Sequence, residues 1–205
     1  MHVILVHGLG RTTLSLAGLA RCLRNAGHTT ETFGYVGALE SFARIRDRLR
    51  ARLERIAATG HEYGVLGHSL GGLLLRAALP AVRPQPKHMV MLATPNRPPR
   101  LARRFRAFWP FRFAGGDAGR RLGDPEFFAA LPLPTVPYTI IAGTAGARGR
   151  LSPFGTEPND WVVSLTETLV SDADQPVLAP VGHTFMMGDQ AVRAAVLRAL
   201  AEAAD

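Results

Sequence analysis

The sequence predicts an α/β domain whose mainly parallel sheet is covered by helices on both faces. Three observations lead there. Short apolar or β-branched runs alternate along the chain with longer segments of helical period. The chain has 205 residues, 47% of them hydrophobic, enough to bury one core. A glycine-rich turn, Gly67-His68-Ser69-Leu70-Gly71, separates an apolar run from a helical one.

Taken in order, "HVILV" (2–6) is a buried strand. Residues 12–26 read as a helix with Leu16, Leu19, Ala20 and Leu23 on one side, stopping at Gly27. "TTETFGYV" (29–36) is a second strand. Over 39–58, Phe42, Ile45, Leu49, Leu53 and Ile56 keep the helical period. Arg44, Arg46, Arg48, Arg50, Arg52 and Arg55 fall mostly elsewhere, as a solvated face. Strand 62–67 runs through Ser69 into the next helix, and "KHMVMLAT" (87–94) is another strand. Asp124 as N-cap and Pro125 in the first turn open a short helix over 124–131. Strands at 137–143 and 175–180 and a helix over 189–203 close the chain, with no internal repeat.

The formal net charge is +8, and residues 97–121 carry eight arginines against the single acid Asp117. This basic stretch belongs to an insertion (97–123) inside one domain spanning 1–205, because it is too short for a core of its own. No nucleic-acid module accompanies it, so no nucleic acid is expected as partner. The expectation is peripheral contact of 97–121 with an anionic membrane. Along 97–113, Leu101, Phe105, Phe108 and Trp109 share one side of a helix ended by Pro110. Gly115, Gly116 and Gly119 would follow as a hinge. The segment reads as a substrate-covering lid, or else as a surface helix packed on the body. No apolar run reaches the ~20 residues of a bilayer span, and Val3–Val6 is too short for a signal peptide. The lone Cys22 rules out an internal disulfide. Cytoplasm is the expected location. With no metal-ligand cluster and no phosphate-cradling glycine loop, neither metal nor cofactor is expected.

The chemistry centres on Ser69. Gly-x-Ser-x-Gly between a strand and a helix marks a tight elbow that holds the serine hydroxyl clear of the sheet. A serine needs a base to take its proton. His183, in "VGHTFMM" between the last strand and last helix, is the histidine that follows Ser69 at a distance. His2, His28 and His61 read as surface residues, His88 opens a strand, and His68 reads as a packing or supporting neighbour. The acid that orients His183 could be Asp160, Asp172, Asp174 or Glu157. Two backbone N–H groups suit an oxyanion: Leu70, next after the serine, and Leu9 in "HGLGR" after the first strand. His7 reads as a residue that fixes this loop.

The pieces "VILVHGLGR", "YGVLGHSLGG", "MVMLATPN", "NDWVVS" and "VGHTFM", in this order, resemble the α/β-hydrolase superfamily. More narrowly the chain is similar to small bacterial lipases and esterases and to lipase-like domains related to glycosylphosphatidylinositol deacylases. The resemblance covers nearly the whole chain. It implies a six-stranded parallel core lacking the first two strands of larger members, and it selects Asp160 as the acid. It also implies a serine hydrolase of carboxylic esters, acting on small-molecule or lipid substrates with hydrophobic acyl groups. A thioesterase or acyltransferase on the same triad, or a non-catalytic binding protein of this fold, are the alternatives. Two features depart from the pattern: Trp161 stands where relatives usually have glycine after the acid, and the composition of the basic insertion at 97–123 follows no family pattern.

Overall fold

In the computed structural model, which describes residues 1–104 and 116–203, six apolar runs become strands. They are β1 (His2–Val6), β2 (Thr29–Phe33), β3 (Tyr63–His68), β4 (His88–Leu92), β5 (Tyr138–Gly143) and β6 (Val177–Ala179). They form one sheet in the order β2-β1-β3-β4-β5-β6, with every neighbouring pair parallel. The helices are α1 (Ala17–Asn25), α2 (Phe42–Ala57), α3 (Leu70–Ala78), α4 (Arg100–Arg104), α5 (Gly116–Arg121), α6 (Pro125–Ala130), α7 (Leu165–Thr168) and α8 (Gln190–Glu202).

Alternate side chains of one strand feed two cores, as a doubly covered sheet requires. Ile4 and Val6, Met89 and Met91 pack with α2, α3 and α6 on one face. Val3 and Leu5, Val90 and Leu92 pack with α1 and α8 on the other. No helix among the described residues is long and apolar enough to cross a membrane.

The differences from expectation have local causes. The helix expected over 12–26 divides into a 3₁₀ turn, Thr13–Leu16, and α1. Strand β2 ends at Phe33, its last partner being Val6, because the chain turns away so that Tyr35 can stack on His7. Helix α2 starts at Phe42 because the Ser41 side chain accepts the Arg44 N–H at 3.2 Å. Asp124 caps α6 as expected, accepting the Glu126 N–H.

The ends of the basic insertion are tied to the body. Arg100 donates its backbone N–H and its Nε to Glu167, at 2.8 and 3.1 Å, and its guanidinium also pairs with Glu157. Arg97 pairs with Asp172 at 2.5 Å. At the far end Asp117 accepts the Phe42 N–H at 2.9 Å and pairs with Arg120 and Arg121. Four arginines expected to face an anionic surface therefore meet acids of the chain itself. Leu101 lies on α4 and is half-buried, whereas Phe105, Phe108 and Trp109 lie outside the described residues. The expected hinge needs correction. Gly116 and Gly119 belong to helix α5, fixed by the Asp117 contacts, and Gly115 lies outside the described residues.

Candidate active site

In an open parallel sheet, ligands sit beyond the carboxyl ends of the strands, where the strand order reverses. Here the reversal falls between β1 and β3. The loop after β1 carries His7, Gly8 and Leu9, and the turn after β3 carries Ser69.

Ser69 has φ 53° and ψ −122°, a region L-residues rarely occupy. Such a conformation costs on the order of 1–3 kcal/mol and persists only where its surroundings enforce it. The Ser69 N–H donates to the Leu92 carbonyl of β4 at 2.8 Å, and the Ser69 carbonyl accepts the Gly72 N–H at 3.0 Å. The flanking glycines are steric necessities. A Cβ on Gly67 would lie 2.6 Å from the Gly71 carbonyl carbon, and one on Gly71 2.8 Å from the His7 carbonyl oxygen. A Cβ on Gly72 would lie 2.7 Å from the Thr94 methyl, so α3 docks closely only without it.

At the elbow, the N–H of Leu70 opens α3, where backbone donors lack a partner within the helix. Neither it nor the N–H of Leu9 donates to an acceptor among the described residues. Among the described residues both donors are thus without a partner, that of Leu70 next to Ser69 and that of Leu9 on the loop whose Gly8 packs against Ser69. His7 holds the Leu9 loop: its Nδ1 donates to the Gly8 carbonyl at 2.9 Å, and its Nε2 accepts the Tyr35 N–H at 3.3 Å. The two rings stack at 4.2 Å. The Tyr35 hydroxyl donates to the His7 carbonyl at 2.9 Å.

The loops after β5 and β6 bring Asp160 to His183. The His183 Nδ1–H donates to Asp160 Oδ2 at 2.6 Å. The other carboxylate oxygen, Oδ1, accepts the N–H groups of Val162 and Val163 at 3.0 and 2.7 Å. The His183 N–H donates to the Asp160 carbonyl at 3.0 Å, so backbone and side chain lock together. The Asp160 side chain is 1% exposed and that of His183 11%. Glycines at 143 and 146 let the loops close: a Cβ at 143 would lie 2.8 Å from that of Asp160, and one at 146 would strike the Asn159 side chain. The other candidate acids sit elsewhere. Asp172 is 91% exposed and pairs with Arg97. Asp174 accepts from the Tyr138 hydroxyl and the Val170 and Ser171 N–H groups. Glu157 pairs with Arg100 and Thr166. The structure thus places Ser69 and Leu70 at the elbow, sets Gly8, the neighbour of Leu9, against Ser69, and joins Asp160 to His183. Between Ser69 and His183 it shows no hydrogen bond, a contact that commonly tightens when substrate binds.

Sequence reasoning had no means of seeing what His68 does. Its Nε2–H donates to the His183 carbonyl at 3.1 Å, and the two rings lie 4.8 Å apart. Its Nδ1 is buried without a partner and would be 2.9 Å from a Cβ on Gly8. One buried ring therefore bridges the nucleophile elbow, the Leu9 loop and the His183 loop. Burial holds its pKa well below the ordinary histidine value, and burial also lowers His7, His28 and His88.

Burial in the folded state disfavours the protonated form of these rings, whereas the unfolded chain takes up protons near pH 6.5, the ordinary histidine value. Stability is then fully present above about pH 7 and is lost as pH falls through 6.5 toward 5. Urea unfolding at a series of pH values checks this, and His68→Asn is expected to make the decline shallower. Stability that stays flat between about pH 7 and 5 would contradict it.

Among the described residues, no group of three His, Cys, Asp or Glu side chains could hold a metal ion. A family model described as "Alpha/beta hydrolase family" matches residues 3–204. No curated protein matches the sequence. Solved structures share the fold at low identity. The mature lipase BlEst2 of Bacillus licheniformis aligns with TM-score 0.70 and 18% identity, over 90% of this chain and 85% of that one. The metagenome-derived lipolytic enzymes LipS and LipT are represented at TM-score 0.69 and 15% identity, with 98% and 92% covered. A thermophilic esterase from Thermogutta terrifontis aligns with TM-score 0.64 and 18% identity, over 99% of this chain and 90% of that one. A parallel six-stranded sheet, a strained serine elbow where its strand order reverses and a family match spanning nearly every residue agree: the chain belongs to the alpha/beta hydrolase family.

Proposed function

We propose that the protein is a serine hydrolase of carboxylic esters, working through an acyl-enzyme on Ser69. The observation that carries this reading is the Asp160–His183 pair, held at 2.6 Å, together with a serine kept at φ 53° whose neighbour His68 bonds to the His183 carbonyl. Asp160 fixes the imidazole with its proton on Nδ1, leaving Nε2 free to act as base. His183 takes the Ser69 proton as the hydroxyl attacks the acyl carbon, and the N–H groups of Leu9 and Leu70 receive the oxyanion. His183 then gives the proton to the departing alcohol, and water enters by the reverse sequence.

The likeness of the fold to lipases and esterases supports ester substrates with hydrophobic acyl groups. A panel of nitrophenyl esters of increasing chain length, with a matched thioester, tests the proposal. Turnover of the esters is expected to exceed that of the thioester and to rise from acetyl to medium-length acyl groups. A thioester preference would assign the same residues to thioester chemistry. No turnover of either would contradict the proposal.

A further inference from the structure

A cleft of about 390 Å³ opens beside His183, with Trp161, Val162, Gly182 and Phe185 among its walls. Three of these walls are apolar side chains left facing water: Phe185 is 71% exposed, Trp161 59% and Val162 41%. Exposed aromatics grouped around a concavity mark a binding site more often than a bare surface. The two rings flank Gly182, where a Cβ would lie 3.4 Å from Trp161 Cδ1 and 3.9 Å from Phe185 Cδ2.

Trp161 is also held against its backbone preference. Its φ is 79°, a left-handed conformation that costs a bulky residue about 1–2 kcal/mol. The Asn159 side chain secures it by accepting the Trp161 N–H at 3.0 Å. Glycine would adopt this turn without strain. The strained turn thus carries a large, exposed ring at the wall of the cleft.

We propose that this cleft binds the alcohol portion of the substrate, and that it selects apolar, aromatic alcohols. The assignment rests on the serine-hydrolase reading above. In that reaction the bond from Ser69 Oγ to the acyl carbon forms and the bond from that carbon to the alcohol oxygen breaks. The proton taken from Ser69 passes through His183 to the departing oxygen. The acyl carbon is therefore held at Ser69 between the N–H groups of Leu9 and Leu70, and none of these residues lines the cleft. The departing oxygen must meet His183 Nε2, and both His183 and its partner Asp160 line the cleft. A group attached to that oxygen reaches Trp161 and Phe185.

The test compares methyl, butyl and benzyl esters of one acid, and separately methyl esters of acids of increasing length. Trp161→Gly relieves the left-handed strain while removing the ring, so it is expected to fold at least as well as the parent. Phe185→Ser is the second variant. Each is expected to lower the benzyl-to-methyl ratio of kcat/KM about tenfold, the usual discrimination of an apolar contact of this size. The dependence on acyl length should keep its parental slope. Labelling of Ser69 by a fluorophosphonate, measured in the same variants, tests the underlying reading by itself. Labelled enzyme whose benzyl-to-methyl ratio is unchanged, or whose altered selectivity follows acyl length, would overturn the alcohol-site assignment. Parent protein that neither labels at Ser69 nor cleaves any ester would overturn the hydrolase reading and the assignment with it.

Discussion

Ser69→Ala is expected to leave a folded protein whose esterase turnover falls about 10⁶-fold, close to background. The hydroxyl is the group that bonds to the acyl carbon, and the residues of such a triad act as a unit. No neighbouring side chain can substitute. His68 spends its Nε2–H on the His183 carbonyl and is buried, and His7 is engaged with Gly8 and Tyr35. Folding should survive because the strain at φ 53° is imposed by backbone contacts with Leu92 and Gly72, which alanine keeps. Circular dichroism and urea unfolding check the fold, and nitrophenyl ester turnover checks the chemistry. Turnover within tenfold of the parent would remove Ser69 from the mechanism.

Asp160→Asn is expected to lower kcat by about 10⁴-fold with little change in KM. The reason lies in the bonds around the carboxylate. Its Oδ1 accepts two backbone N–H groups, from Val162 and Val163. An asparagine must point its carbonyl oxygen at those donors, because its NH₂ would oppose them. The NH₂ then faces His183 Nδ1 and makes that nitrogen an acceptor. The imidazole proton moves to Nε2, the nitrogen that must be free to take the serine proton. Asp172→Asn and Asp174→Asn serve as controls, since one acid pairs with Arg97 and the other with Tyr138. A large loss in either control, with Asp160→Asn near parental turnover, would reassign the acid.

How much of this was legible depended on how local the cause was. The Ser69 elbow could be read because its spacing is a steric statement: side chains at 67 and 71 would collide with the adjoining backbone. The strands could be read because burial on both faces demands continuous apolar runs such as "HVILV" and "HMVML". Asp160 was one of four acids until the family pattern selected it, because its distance to His183 is decided by two loops meeting across β5 and β6. Trp161 was visible as a departure from glycine, but its meaning depends on φ 79° and on Phe185 standing beside it. The tie from His68 to the His183 carbonyl, and the acids that receive Arg97 and Arg100, join residues far apart in sequence. No periodicity encodes them. The hinge expected from Gly116 and Gly119 failed for the same reason: Asp117 reaches across to the start of α2.

We propose above all that Ser69 is a nucleophile activated by His183. Its most direct test is intact-mass analysis of the protein after reaction with a fluorophosphonate, followed by peptide mapping. One adduct per chain is expected, on Ser69, formed rapidly by the parent and Asp172→Asn. Labelling should be far slower in Asp160→Asn and His183→Ala, and absent in Ser69→Ala. An adduct on another serine, or equal labelling of the parent and His183→Ala, would contradict it.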